Sequence, residues 1–226
     1  MQTSKLMRIA LVAAVCSIGS ATAGAGQAKS SRMSMTNNDA VAGLKQDMRK
    51  VWTDHVVWTR DYIVAAVGDQ PDAQAAAGRL MKNQDDIGNA VAAFYGAPAG
   101  RQLTTLLKQH ISIAVDLIKA AKAGDTVAQQ QADSKWHQNG VEIADFLSKA
   151  NPNWPRATLV DMMNKHLATT TDEVVARLTK NWDADVRAFD AIYDHILHMA
   201  DALSDGIVKQ FPAKFGMSTG RPRANE

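Results

Sequence analysis

Three stretches decide how this chain folds: "HVVWTRDYI" (His55–Ile63), "HISIAVDLI" (His110–Ile118) and "HLATTTDEV" (His166–Val174). Each carries a histidine, an aspartate six residues on and a β-branched residue two after that. The spacing between the histidines is 55, then 56 residues. With the histidines aligned, Met48, Leu103 and Leu159 stand seven positions before them, and Trp52, Leu107 and Met163 three before. Val56, Ile111 and Leu167 follow by one, and Ile63, Ile118 and Val174 by eight. A match at this many positions reads as one supersecondary unit used three times.

A helix advances about 100° per residue. With the histidine set at 0°, those apolar positions fall in a stripe between about 20° and 100°, so each histidine sits at the edge of a buried face. The aspartates Asp61, Asp116 and Asp172 fall near 240° and read as solvated charges. A second helix of each unit is in register too. Asn83, Asn139 and His195 follow their unit's histidine by 28, 29 and 29 residues, and three positions further on stand Asp86, Glu142 and His198. Each unit is therefore expected to be an antiparallel αα-hairpin with a polar clamp. His55 faces Asn83, His110 faces Asn139, and His166 faces His195 at the same height.

Breaks at "GDQPD", "YGAPAG", "AGDT", "NPNWP" and "NWDAD" divide the chain into six helices of about 25 residues, each about 38 Å long. The expected fold is all-α, six helices as three repeated hairpins with a period of about 55 residues. A closed bundle is favoured over a short solenoid, because three units alone make a small solenoid with two exposed ends.

The N-terminus, "MQTSKLMRIALVAAVCSIGSATA", has a basic start at Lys5 and Arg8, a short apolar run from Ile9 to Ile18 and a small-x-small site at Ala21–Ala23. It reads as a signal peptide over residues 1–23, which implies export to the periplasm or beyond. Residues 24–38 are small and polar and are expected to be a flexible leader. The helical domain is placed at 39–215 and a flexible tail at 216–226. Loss of residues 1–23 takes the formal charge from +2 to zero and removes the single cysteine, Cys16. A neutral chain offers no footprint for nucleic acid. No transmembrane segment is expected after signal removal, and no disulfide or cysteine nucleophile.

The segments "WTDHVVWTRDYI", "NQDDIGNAVAAFYG", "LLKQHISIA", "ANPNWP", "HLATTTDEVVARL" and "DGIVKQFPAKF" resemble an uncharacterised family of bacterial all-helical proteins, over about residues 44–215. The resemblance implies the helical fold and carries no established activity. Labels such as glycosyltransferase or acetylglutamate kinase, attached to some relatives, have no counterpart in these residues. There is no Gly-rich phosphate loop and no alternation of strand and helix patterns.

Two functional readings follow. In the first, imidazoles and carboxylates converge as in helical-bundle metal sites. The candidate ligands are His55, His110, His166, His195, His198, Glu142 and Asp86, and the donor types suit Zn, Fe, Mn or Cu. A small ligand bound at the same polar belt is the broader form of this reading. In the second, the histidines, with Asn83 and Asn139, are core hydrogen-bond clamps in a metal-free structural or interaction module, and the partner is another protein or a second copy. A metal-free enzyme has the least support, since no nucleophile elbow or paired-carboxylate geometry is present.

Overall fold

In the computed structural model, residues 24–217 are described, with side chains from Asn37 onward. The expected signal peptide and residues 218–226 of the expected tail lie outside the described residues. Six helices follow one another: α1 (Gly24–Val67), α2 (Ala73–Tyr95), α3 (Ala97–Ala123), α4 (Thr126–Ala150), α5 (Arg156–Leu178) and α6 (Trp182–Gln210). A 3-10 turn, Pro212–Phe215, ends the fold. No strand occurs among the described residues. Nor is any of the described helices long and apolar enough to cross a membrane.

The breaks fall where the turn chemistry puts them. Asp125 caps α4 by accepting the amide of Ala128 at 3.0 Å, and Asn181 caps α6 by accepting that of Ala184 at 3.1 Å. Both side chains satisfy amides that a helix start leaves unpaired. Pro98 occupies the first turn of α3, where its missing N–H is harmless. The "YGAPAG" break shrinks to the single residue Gly96 between α2 and α3.

One boundary differs from expectation. Residues 24–38, read as a flexible leader, are helical and form the start of α1, which is 44 residues long. This stretch has no proline, its residues are tolerated in helices, and a packed helix downstream supplies the nucleus from which the turns extend. Asn37 Nδ2 donates to Gly216 O at 3.0 Å, tying α1 to the end of the 3-10 turn. Gly216 therefore belongs to the fold rather than to the tail.

Each helix packs on its neighbours in sequence, and α1 also packs on α6, so the bundle closes. The stripe read from the sequence is the core. Met48, Leu103, Leu159, Trp52, Leu107, Met163, Val56, Ile111, Leu167, Ile63, Ile118 and Val174 are all buried. Asp61, Asp116 and Asp172 are exposed, as their wheel position requires. Helices α2 and α3 approach closely at Gly88 and Gly100. A Cβ at Gly100 would come within 2.6 Å of both Ala92 Cβ and Gly88 O. Only glycine lets the two backbones meet there.

Candidate functional site: three buried imidazoles under a cavity

His55 on α1, His110 on α3 and His166 on α5 are buried, at 3%, 2% and 5% exposure. Their rings gather in the interior. The His166 ring centroid lies 5.7 Å from that of His55 and 6.2 Å from that of His110. His195 on α6 extends the row, 6.5 Å from His166, with its ring half-buried.

The second helix of each hairpin makes one equivalent hydrogen bond to the first. Asn83 Nδ2 donates to Val51 O at 2.9 Å, Asn139 Nδ2 to Leu106 O at 3.2 Å, and His195 Nε2 to Met162 O at 2.9 Å. In every case the accepting carbonyl lies four residues before the hairpin's own histidine. These bonds fix the height of each pair of helices.

The expected clamps themselves form only in part. His110 and Asn139 meet, with Nδ1 and Oδ1 2.8 Å apart. His55 lies against both Asn83 and Gln84, with Gln84 Nε2 3.4 Å from His55 Nδ1, beyond the usual range. The two amide protons of Gln84 are already placed toward Leu80 O and Asn83 Oδ1, at 2.8 and 3.3 Å. His166 and His195 stack without a hydrogen bond, because His195 spends Nε2 on Met162 O.

The other candidate ligands do not join them. Glu142 and His198 are exposed; Glu142 accepts from Gln138 at 3.1 Å, and His198 Nδ1 sits 2.7 Å from Asp194 O on its own helix. Asp86 pairs with Arg79 at 3.6 Å. The inward face of each second helix is taken by Ile87, Ile143 and Met199, so the preceding position turns out of the interior. Among the described residues, no three His, Cys, Asp or Glu side chains are placed to hold a metal ion as they stand. The seven-ligand set therefore reduces to the three buried imidazoles, with His195 beside them.

Burial sets their charge. It lowers His55 to about 3, helped by repulsion from His110, and lowers His110 to about 4 against the hydrogen bond that His110 donates to Asn139. His166 is held well below the ordinary value by burial and by its three neighbouring histidines. All three rings are neutral near pH 7. Asn139 donates through its nitrogen, so its oxygen accepts, and His110 must carry its proton on Nδ1. The lone pair of His110 is then on Nε2. That atom and His166 Nδ1 are buried without a hydrogen-bond partner among the described residues.

The rings form the floor of a cavity of about 270 Å³ between α1, α3, α4 and α5, with Leu80 of α2 at its edge, walled mostly by apolar side chains such as Ile111, Ile118 and Val174. Beneath them lies only a void of about 20 Å³ in the core.

A second polar cluster was not legible as a site. Arg60 on α1 grips both oxygens of Asp185 at 3.0 Å and reaches Glu173 at 2.5 Å, while Arg177 bonds Asp185 at 2.9 Å. Glu173 and Asp185 are buried. Burial pushes Glu173 up to about 7 despite Arg60, whereas two arginines hold Asp185 below the usual range against its own burial. The sequence did carry a signal. Glu173 lies seven residues after His166, on the buried face of α5, where a charge demands a partner.

Searches against family models, curated proteins and solved structures find no match to this chain, so its function is argued from the geometry of this site.

Proposed function

We propose that the protein binds a transition-metal ion through His55, His110 and His166, with the cavity as the open side of the site. The observation that carries this reading is the pair of orphaned, buried ring nitrogens, His110 Nε2 and His166 Nδ1, beside a third neutral imidazole. A buried unpaired nitrogen costs about 1–3 kcal/mol, and a metal is one partner that relieves it. His110 already has the preparation that metal-bound histidines show, its far nitrogen tied to an amide. Metal–nitrogen bonds of about 2.1 Å at tetrahedral angles would set ring centroids about 5–5.5 Å apart. His166 stands 5.7 and 6.2 Å from the other two, so the rings must draw together for all three to reach one ion. An all-imidazole set without a thiolate suits Zn or Cu better than Mn. Together with the leader-like residues 1–23, this describes an exported metal-binding bundle.

The test is elemental analysis of untagged protein, followed by zinc calorimetry on chelator-stripped protein. One equivalent of zinc, abolished by His166→Gln, supports the reading. No binding to folded protein overturns it. A second reading has its own observation, the hydrogen bond repeated in all three hairpins. There the polar belt sets helix register, and function lies in contact with another protein. Unchanged stability on zinc addition and a large loss of stability in His110→Gln favour that reading.

A further inference from the structure

We propose that the cavity over the imidazoles binds an uncharged, mostly apolar organic molecule of about two fused rings, which presents one N–H or O–H donor to the floor. This goes beyond the metal reading and does not require it.

Size comes first. An apolar cavity of about 150 Å³ accommodates benzene. The 270 Å³ here corresponds to a molecule somewhat larger, of bicyclic size. Its walls are mostly apolar, from Leu80 on α2 through Ile111 and Ile118 on α3 to Val174 on α5, with Gln129 and Gln130 of α4 as polar exceptions. Binding would draw on burial of the ligand's apolar surface.

Charge comes next. Among the described residues no lysine or arginine lines the cavity, and the acidic side chain in its lining is Asp133 on α4. The imidazoles of the floor are neutral. Nothing there would compensate a carboxylate or phosphate, and a buried unpaired anion is strongly disfavoured. Anionic metabolites are excluded on this ground.

Polarity of the ligand's end follows from hydrogen bonds already made. Thr59 Oγ1 donates to His55 O at 2.7 Å, and Thr170 Oγ1 donates to His166 O at 2.9 Å. Each hydroxyl has spent its proton on its own helix and keeps lone pairs. Both threonines line the cavity. Thr59 and Thr170 thus offer acceptors to a donor on the ligand, while the unpartnered Trp136 Nε1–H in the same lining is a donor that leaves room for one ligand acceptor.

The experiment uses the full chain at pH 7.5 in excess chelator, with indole, 1-methylindole and indole-3-carboxylate as probes in calorimetry. Indole is expected to bind with a millimolar or lower dissociation constant. 1-Methylindole, which lacks the donor, should bind about tenfold more weakly, and indole-3-carboxylate should show no binding at the same concentrations. Ala114→Phe, which fills the cavity from its α3 wall, should abolish indole binding. If that variant does not fold, Thr170→Val reports instead by bringing indole down to the affinity of 1-methylindole. The inference is overturned if indole does not bind, if the carboxylate binds as well as indole, or if the folded variant binds indole like the parent. Because chelator is present throughout, these results are independent of whether zinc binds, and either proposal can fail alone.

Discussion

His110 Nδ1 and Asn139 Oδ1, 2.8 Å apart, determine which nitrogen of His110 keeps its lone pair. Asn139 is held at both ends, donating to Leu106 O while accepting from the imidazole. The proton is thereby fixed on Nδ1 and the lone pair on Nε2. Asn139→Ala removes this control without touching a proposed ligand. The expected result is a 10- to 100-fold loss of zinc affinity, together with a loss of about 1–3 kcal/mol in urea denaturation. Unchanged zinc affinity in a folded variant would remove Asn139 from the site.

Stability should fall with acid, in a window set by the histidines. Their folded values lie below the unfolded value of 6.5, at about 3 for His55 and about 4 for His110, with His166 lowered as well. The stability they contribute is complete above about pH 6.5 and is lost as the pH falls, because the unfolded chain takes up protons that the fold refuses. Glu173 acts in the opposite sense. Raised to about 7 from 4.5, it contributes stability below pH 4.5 that disappears as the pH rises through 7. His195, half-buried, is lowered too, so the histidines outweigh the one carboxyl and stability falls as the pH drops below about 6.5. Denaturant melts across that range measure it. Glu173→Gln should steepen the slope by about one proton and His166→Gln should flatten it by about one.

Removing Arg60 should be severe. Asp185 would keep Arg177, but Glu173 would lose its hydrogen-bonded arginine while remaining buried. Arg60→Ala is expected to destabilise by about 3–5 kcal/mol near neutral pH, as broken buried pairs do. The loss should be smaller at pH 5, where Glu173 is protonated. A pH-independent loss would contradict the raised value at Glu173.

The turn "NPNWP" is locked by a glycine on the last helix. Trp154 is buried against Gly206, where an added Cβ would overlap the indole. Gly206→Ala should therefore lower stability by about 1–3 kcal/mol through overpacking, although alanine favours helix. A more stable variant would show that the indole can yield.

Much of the fold was legible because its signals are periodic. The stripe running from Met48 through Ile63 and its counterparts on α3 and α5 needed only the 100° wheel. The turns announced themselves through Gly, Pro, Asp and Asn. At the start of α1 the small polar composition pointed to a leader, whereas the structure continues the helix through it. At the site, the wheel placed His55, His110 and His166 at the core edge, and the structure brings them together. It also placed Asp86, Glu142 and His198 one step round, but a wheel cannot say how far a neighbouring helix extends to meet them. Gln84, beside Asn83, was overlooked because the register argument named one polar residue per turn. The Arg60–Asp185 contact joins residues 125 apart in sequence on different units, and no periodicity reports such a pairing.

The central claim is that three imidazoles hold one ion, and histidine-ring nitrogen NMR tests it most directly. Full-length protein labelled at the histidine nitrogens is stripped of metal and titrated with zinc at pH 7.5. The account predicts that ring signals of His55, His110 and His166 move together and saturate at one equivalent. His110 should change at Nε2 while keeping its proton on Nδ1, and exposed His137 and His198 should not move. Zinc shifts confined to His137 and His198, or no shift at all, would contradict it and leave the three rings as a device for packing helices.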